Sequence, residues 1–488
     1  MSLDILYRDG TTSDRCGYMN KRVIYHLCLD KSFQLFFPDL IRSNAFFDIL
    51  CHPLTAKDDI IFRQDIFKDF LNNAGLFDAL KSSFEDLKAD HSAYRQMKAT
   101  SYGGVGSTGG NPEVSSSILQ INAGFFKKLF SYIGRLHDIL TSAELTSEGL
   151  IRIRDDMSFI TENEAMPEAI RFISQFEGFS VYKNTDYKIS ISEDGSIRGA
   201  SLISDKYVKH PIQEAKGFFS IFKKQKEETY PYSIIAGTDS EFYRNTVSGA
   251  ISELYSLFET YISQIYDKYI KIYNQLFFYE IGLKFHSRLI HFASPCSFPE
   301  ITDKKGIFIR NAYDMLLVFK DQSAEKVIPN DVNALSDKDG ILIFGENGSG
   351  KTVFLRSVVA IQVLSQAGLP IPCDSASIFP YSSIHTQFSE GEKMFVKGND
   401  AGRFEQEVSE IAEMVENLTD NSLIVLNETF QTTSYDEGAK GLSHILKYFT
   451  GKNVTWLLVT HLTQLKEIYN RENAYFLSAD GTFKVNPI

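Results

Sequence analysis

The feature that most constrains this 488-residue chain is the stretch GENGSGKT at residues 345–352. It follows the apolar run 341–344 and precedes an amphipathic stretch at 353–366, so the pattern predicts a strand, a tight loop and a helix in that order. Glycines allow the backbone to turn its N–H groups inward, and the helix N-terminus adds the positive end of its dipole. The stretch therefore predicts a phosphate-binding loop within an α/β domain.

We expect ATP and Mg²⁺ to bind at this loop. The ammonium group of Lys351 is expected to reach the β- and γ-phosphates and to act in catalysis, and the hydroxyl of Thr352 is expected to ligate Mg²⁺. The predicted nucleotide-binding residues of the stretch and of the helix behind it are Gly345, Asn347, Gly348, Ser349, Gly350, Lys351, Thr352 and Val353.

A second apolar run, 423–426, predicts the companion strand that such a loop needs, and Asn427 and Glu428 follow it. Asn427 stands where a Mg²⁺-linked Asp is common. An Asn can orient a metal-bound water but brings no charge, so we include Asn427 in the predicted metal site. Glu428 is then the best candidate to polarise the attacking water.

His461 directly follows a third apolar run, 454–460. A single His is more often structural than functional. At the carboxyl end of a parallel strand, however, His461 faces the crevice in which α/β proteins bind nucleotides. This placement favours a catalytic role in sensing the γ-phosphate.

The sequence upstream of residue 295 has a different character from the sequence after it. Short apolar strands alternate with helical stretches over residues 295–488, which predicts a mainly parallel sheet covered by helices. Residues 1–294 read as a helical region, with a small β insertion near 184–235. Its helical patterns cover residues 1–98, 117–176 and 241–292, with a glycine-rich loop at 101–112.

Composition excludes some classes of protein. The formal net charge of -12 argues against a generally basic nucleic-acid coat, although a local basic groove is compatible with it. The five cysteines include no CxxC pair and no metal-binding spacing. The first 30 residues carry no signal-peptide pattern, and no apolar run reaches the ~18 residues of a membrane span. We therefore predict a cytoplasmic protein without a membrane partner.

Four motifs in order resemble those of the MutS family of ATPases. The loop at 345–352 is similar to the family's GxNxxGK[ST] loop, in which the Asn is characteristic. The block FEQEVSEIA at 404–412 resembles its F-x-x-E-[MV]-x-E-x-A helix. LNETFQTTS at 426–434, followed by Glu437-Gly438, resembles the D-E-x-x-x-G-T-S segment, and THLTQL at 460–465 matches the T-H-x-x-x-L strand end.

Weaker similarity reaches upstream of these motifs. The segment 327–330 looks like the family's segment that packs on adenine, which adds Ile328 to the predicted nucleotide site. Residues 46–67 resemble the core-and-lever segment of the family. Because the resemblance begins at that core, we expect a short form without the N-terminal mismatch-recognition and connector domains. Phe278 and Glu280 superficially resemble a mismatch-probing Phe-x-Glu, but we interpret them as core packing.

Two departures limit what the resemblance implies. Asn427 replaces the family's usual Asp. The signature segment that acts on the partner subunit's nucleotide is normally rich in Ser before the Phe, and here it reads DAGR at 400–403. The N–H group of Gly402 or the side chain of Arg403 is expected to replace the Ser hydroxyl, and the sequence leaves both open.

The resemblance implies a multidomain protein: an α-helical core and lever lobe with a clamp-like β insertion, then an ABC-type P-loop α/β ATPase domain. It implies a slow, Mg²⁺-dependent ATPase that forms a homodimer through its ATPase domains. We expect an ATP-gated dimer that acts on duplex or branched DNA in repair or recombination. The alternative is an ATP-switched scaffold that binds a protein partner and has no DNA role.

Overall fold

The computed structural model of the chain forms two compact units. The helical unit contains Asn73–Leu145 and Leu150–Asn274, and the sheet unit contains Asp4–Asn72, Thr146–Gly149 and Gln275–Ile488. No helix in the described part of the chain is both long and apolar enough to cross a membrane. The structure describes residues 3–8, 16–103, 112–163, 170–171, 187–191, 197–202, 240–292, 294–335, 338–389, 400–430, 434–469 and 473–488.

Long helices build the helical unit, as the periodicity predicts. They are α5 (Leu76–Gly103), α6 (Pro112–Thr141), α7 (Glu148–Thr161) and α8 (Ser240–His291), of which α7 and α8 also contribute residues to the sheet unit. Apolar side chains at three- and four-residue spacing are buried along α5 and α6, as expected for packed helices. The buried hydroxyl of Tyr94 donates to Oδ1 of Asn122 at 2.8 Å, which joins these two helices.

The β insertion is present as a two-stranded antiparallel hairpin, β2 (Tyr187–Ile191) and β3 (Ile197–Leu202). This confirms the strands predicted from the alternating pattern. Most of the span 184–235, including the predicted turn at 193–196, lies outside the described residues, and so does the centre of the glycine-rich loop at 104–111.

A seven-stranded sheet forms the core of the sheet unit, in the order β1-β9-β10-β11-β7-β12-β13. All neighbours pair in parallel except the last two, which confirms the predicted mainly parallel sheet. The strands are β1 (Tyr18–Met19), β7 (Gly340–Phe344), β9 (Ser383–Phe388), β10 (Ser422–Asn427), β11 (Thr455–Val459), β12 (Ala474–Ala479) and β13 (Val485–Pro487). Every residue of β7 and β10 is buried.

A smaller four-stranded sheet lies in the same unit, in the order β4-β8-β5-β6. Its strands are β4 (Glu300–Ile301), β5 (Gly306–Ala312), β6 (Asn330–Leu335) and β8 (Ser375–Ile378). The helices of the sheet unit are α1 (Arg22–His26), α2 (Leu29–Phe33), α3 (Leu40–Leu50), α4 (Lys57–Asn72), α9 (Met315–Asp321), α10 (Lys351–Gln366), α11 (Asp400–Glu416), α12 (Tyr435–Thr450) and α13 (Leu465–Ile468).

One part of the N-terminal segment departs from the prediction of helices over residues 1–98. Tyr18 and Met19 form β1, which pairs in parallel with Ser383 and Ile384 of β9 and so becomes an edge strand of the large sheet. The helical expectation is wrong at these two residues. A strand of two residues is too short to show an alternating pattern in the sequence. It forms because it pairs with Ser383 and Ile384, which are far away in the chain.

Helix α10 is buried along nearly its whole length, and polar groups hold its C-terminal end. The side chain of Gln366 donates to the carbonyl oxygens of Leu54 and Tyr381, each at 2.8 Å. The fully buried guanidinium of Arg63 donates to the carbonyl of Ala367 at 3.2 Å, just beyond the helix. These bonds satisfy polar groups that would otherwise be costly to bury, and they fix the helix that follows the glycine loop.

Phe278 is fully buried in α8 and packs against the rings of Phe46 and Phe67, at centroid distances of 5.6 and 6.1 Å. The interpretation of Phe278 as core packing is thereby confirmed.

The division of the chain into domains at residues 294 and 295 stays a prediction. The two compact units are not divided at that position, since the sheet unit also includes Asp4–Asn72 and Thr146–Gly149.

Trp456 belongs to the hydrophobic cluster that packs on the large sheet, and its ring is fully buried. A Cβ atom built on Gly340, at the start of β7, would lie 2.2 Å from Cδ2 of this ring. Gly340 is therefore required by the close approach of the indole to the backbone of the neighbouring strand.

We predict that Gly340→Ala destabilises the protein by about 1–3 kcal/mol, because the new methyl group overpacks the indole of Trp456. Urea unfolding followed by Trp fluorescence measures the change. The matched control is Gly441→Ala, in the interior of α12, where the nearest side-chain atom would be 3.7 Å from the new Cβ. It should be neutral or stabilising by up to ~1 kcal/mol. Equal stability of the two variants would contradict the close approach.

Candidate functional site

The loop between β7 and α10 has a backbone shape that only glycine adopts readily. Gly345, Gly348 and Gly350 have φ values of 147°, 80° and 91°. A Cβ at Gly345 would also lie 2.7 Å from the carbonyl oxygen of Ala479. The glycines of the motif are therefore explained by positive φ and by the close approach of β12.

The N-terminus of α10 opens at this loop. Its first residue is Lys351, and within the described residues no side chain caps Gly350, the residue before it. The first N–H groups of a helix have no partner within the helix, and their dipoles point toward any ligand at this end. The loop and the helix N-terminus together therefore have the geometry that can bind an anion.

The side chain of Lys351 lies at the base of the loop. Its ammonium donates to the carbonyl oxygens of Gly345 at 2.9 Å and Glu346 at 2.7 Å. Lys351 is only 4% exposed, and its Nζ lies 3.8 Å from Oε1 of Glu428. Burial lowers the pKa of Lys351, while the carboxylate of Glu428 opposes this shift.

Residues that end β10 approach the first turn of α10. The hydroxyl of Thr352 donates to Oδ1 of Asn427 at 3.1 Å, so the two predicted metal ligands lie side by side. Oxygen ligands of this kind suit Mg²⁺, which keeps several water molecules and takes few ligands from the protein. In the part of the chain that the structure describes, no cluster of three His, Cys, Asp or Glu side chains offers another metal site.

In-register parallel pairing brings the three predicted strand ends together. Asn427 of β10 pairs with Val459 of β11, and Val459 pairs with Ile343 of β7. The N–H of Glu428 donates to the carbonyl of Val459 at 2.9 Å. His461 therefore follows β11 at the edge of the sheet where the glycine loop and Glu428 also lie.

Two buried polar atoms at this edge have no hydrogen-bond partner among the described residues: Oγ of Ser349 and Nδ1 of His461. Buried polar atoms in proteins nearly always have a hydrogen-bond partner, so these two atoms are suited to contact a ligand that binds at this edge. A hydroxyl and an imidazole nitrogen can both bond to phosphate oxygens. Together with the loop N–H groups, they fit a nucleoside triphosphate.

Sequence reasoning missed Phe483, in the turn between β12 and β13. Its φ of 65° is left-handed, its side chain is 52% exposed, and its Cδ1 would lie 3.2 Å from a Cβ on Gly350. The side chain of Asn330 donates to the carbonyl oxygens of both Phe483 and Ile328, at 3.2 and 3.3 Å. The exposed ring of Phe483 thus lies against the glycine loop, and no sequence motif predicted this position.

A second group that sequence reasoning missed lies behind Glu428. Oε2 of Glu407, in α11, accepts the N–H of Phe430 at 2.9 Å, and Oε1 accepts the hydroxyl of Ser389 at 3.1 Å. Glu407 is buried, with 5% of its surface exposed. The resemblance includes this Glu in its helix motif but gives it no role.

The signature segment begins α11, since Gly402 lies in its first turn and is exposed. A Cβ on Gly402 would meet nothing within 4 Å. The side chain of Arg403 is not among those described, so the choice between Gly402 and Arg403 stays open. The bonds described above do not connect either residue to the site around Lys351.

Comparisons with known proteins match the part of the chain that contains this site. The family model described as MutS domain V matches residues 341–479. An Endonuclease MutS2 from Lactobacillus helveticus (strain DPC 4571) is 28% identical over 188 residues, which cover 38% of this chain and 23% of that protein. A DNA mismatch repair protein MutS from Petrotoga mobilis (strain DSM 10674 / SJ95) is 29% identical over 216 residues, covering 44% of this chain and 25% of that protein.

A DNA mismatch repair protein MutS from Chlamydia abortus (strain DSM 27085 / S26/3) is 33% identical over 147 residues, covering 29% of this chain and 17% of that protein. The matched stretches thus span a quarter or less of the length of these three relatives. The matched domain contains the glycine loop, Asn427, Glu428 and His461. Residues 341–479 of this chain therefore form a MutS domain V, the domain that it shares with MutS-family proteins.

Proposed function

We propose that this protein binds ATP with Mg²⁺ and hydrolyses the ATP slowly, as a switch in DNA repair or recombination. The observation that carries the proposal is the buried ammonium of Lys351 next to the carboxylate of Glu428, at the edge where Ser349 and His461 have buried polar atoms with no partner among the described residues. Positive groups and hydrogen-bond donors converge where phosphates would lie, and an acceptor for a water proton is next to them.

Each residue of the site has a proposed role in binding. The loop N–H groups and Ser349 hold the phosphates, and Lys351 exchanges its two carbonyl partners for the terminal phosphate oxygens. Thr352 and Asn427 would hold Mg²⁺, which neutralises phosphate charge when bound. The exposed side chains of Ile328 and Phe483 supply apolar surface for the nucleobase.

The chemistry assigned to Glu428 is the positioning of water for attack on the γ-phosphorus. The water oxygen forms a bond to phosphorus, the bond to the bridging oxygen of ADP breaks, and the water proton passes to the carboxylate. His461 senses the γ-phosphate through Nδ1, which has no partner among the described residues. Asn427 brings no negative charge, which weakens Mg²⁺ binding and makes turnover slow.

In the proposed switch, ATP controls dimerisation through the ATPase domains. Phe404 and Val408, one turn apart on α11, and Tyr435 at the start of α12 expose large apolar side chains. Tyr435 lies next to His461, with ring centroids 5.6 Å apart. These exposed apolar side chains support a homodimer in which Gly402 or Arg403 of each subunit faces the partner's nucleotide.

A DNA role is supported by the names of the relatives, which include mismatch repair proteins and an endonuclease of the MutS2 type. The formal net charge of -12 requires that contacts to DNA phosphates be concentrated in a local basic region. A cytoplasmic location accompanies the proposal as an expectation.

We predict that Lys351→Ala removes most of the affinity for ATP or abolishes ATP hydrolysis, because it removes the charge that meets the terminal phosphates. Steady-state phosphate release and equilibrium binding of a fluorescent ATP analogue measure the two effects. Lys447→Ala, which removes an exposed lysine from α12, is the matched control and should behave as wild type. Wild-type hydrolysis by Lys351→Ala would overturn the assignment of the site.

We predict that Glu428→Gln binds ATP and hydrolyses it at least ~100-fold more slowly, within the range expected for a general base. With ATP and Mg²⁺, sedimentation should show a shift of this variant toward dimer, because the ATP-bound state persists. Glu467→Gln, an exposed change on α13, is the control. An unchanged monomer–dimer equilibrium would contradict the control of dimerisation by ATP, and lost ATP binding would place Glu428 in the metal site.

We predict salt-sensitive binding to duplex or branched DNA, with weak dependence on base sequence. Filter binding of homoduplex, mismatched and branched DNA at several salt concentrations, with and without ATP, measures it. Preference for a single mismatch should stay below about tenfold, or ~1.4 kcal/mol, because Phe278 is buried and cannot enter a base stack. Absence of binding to every DNA would favour the alternative, an ATP-switched scaffold for a protein partner.

A further inference from the structure

Two of the three residues after β10 have an unusual backbone. Glu428 and Phe430 have φ values of 57° and 63°, in the left-handed region that residues with a Cβ rarely adopt. Such conformations persist only where the surroundings hold them, and they are concentrated at functional sites. The position of the Glu428 carboxylate therefore depends on contacts that hold residues 428–430.

Two of these contacts come from the large sheet itself. The N–H of Glu428 donates to the carbonyl of Val459 at 2.9 Å. The hydroxyl of Thr429 donates to Oε1 of Gln387, near the end of β9, and both side chains are buried. They fix the first two residues of the segment to the neighbouring strands.

The third contact comes from α11. Oε2 of Glu407 accepts the N–H of Phe430 at 2.9 Å, while Oε1 accepts the hydroxyl of Ser389 at 3.1 Å. A buried carboxylate that loses water must be compensated by such bonds, and a charged acceptor makes each of them stronger. Glu407 thus links the end of β9 to the residue two positions after Glu428.

Apolar contacts seat Phe430 on the same helix. Its ring lies 5.3 Å from that of Phe404, and it belongs to the buried cluster that includes Ile411 and Met414. Helix α11 therefore holds Phe430 by both its side chain and its backbone N–H. A change of Glu407 removes the bond to the backbone and leaves the apolar contacts in place.

We propose that Glu407 is a positioning residue for hydrolysis: by holding the N–H of Phe430 it keeps residues 428–430 in the conformation that directs Glu428 toward Lys351 and the γ-phosphate. Glu407 does not itself contact the nucleotide and acts only through this segment. The inference rests on the proposed ATPase function, and it assigns a role to a residue behind the site.

The test is a double-mutant cycle on ATP hydrolysis. Glu407→Ala should lower kcat by about tenfold or more, but by less than the ~100-fold loss expected when the general base itself is removed. Its affinity for ATP should stay within about twofold of wild type. In the Glu428→Gln background the same change should lower kcat less than about twofold, because residues that act as one unit are not additive. Full additivity, or a parallel loss of ATP affinity, would overturn the positioning role.

Two further variants separate positioning from a general loss of structure. Glu407→Gln keeps an oxygen acceptor for Phe430 and an amide that can meet Ser389, so it should retain kcat within about threefold. Glu405→Ala, an exposed change on the same helix, should match wild type. If Glu407→Ala does not fold, Ser389→Ala and Thr429→Val loosen the same segment, and wild-type kcat in both would contradict the proposal.

A measurement without turnover distinguishes the failure of this inference from the failure of the proposed function. Amide hydrogen exchange of a peptide containing residues 428–430 should accelerate at least tenfold in Glu407→Ala and remain near wild type in Glu407→Gln. A wild-type protein that does not hydrolyse ATP would refute the proposed function. Unchanged exchange in a folded Glu407→Ala protein would refute the role of Glu407, whatever the activity.

Discussion

The in-register parallel pairing of β10, β11 and β7 is the constraint on which the rest of the site depends. Asn427, Val459 and Ile343 lie side by side across three adjacent strands, so the segments after them leave the sheet at one edge. A slip of one residue in either pair would move every side chain of the shifted strand to the opposite face of the sheet. The positions of the site residues are therefore fixed mainly by the buried strands rather than by the loops.

Burial has a different consequence at the carboxyl edge of the sheet than in the hydrophobic cluster around Trp456. Around Trp456 the side chains are apolar and close-packed, and even Gly340 has no room for a methyl group. At the carboxyl edge, polar atoms of Ser349 and His461 are buried and have no hydrogen-bond partner in the described part of the chain, and desolvation lowers the pKa of the Lys351 ammonium. Such groups gain the most interaction free energy when an anion binds, because its charge replaces the favourable interactions with water that burial removed.

Strained backbone links the site to α11. The left-handed residues Glu428 and Phe430 are held by Val459 on one side and by Glu407 on the other. Helix α11 also begins with the signature segment and exposes Phe404 and Val408. Any partner that moves this helix would therefore act on the conformation around Glu428, which gives the proposed dimer a physical route to control hydrolysis.

The sequence alone determined the local chemistry of this protein. Spacing of glycines in 345–352 specified a strand, a loop and a helix, because positive φ and a helix N-terminus are local requirements. Apolar runs located β10 and β11, and residues that follow such runs reach the same edge whenever the strands are parallel. The long helices and the β2-β3 hairpin were also predictable, because their periodicity is local.

Only the tertiary structure decided which distant segments complete the fold and the site. Strand β1 joins the sheet through β9, Phe483 lies against Gly350, and Glu407 holds Phe430. None of these contacts leaves a periodic pattern, because each joins a short segment to a partner far away in the sequence. Their energy comes from burial and from hydrogen bonds that exist only after the sheet has formed, and local sequence preferences do not encode them.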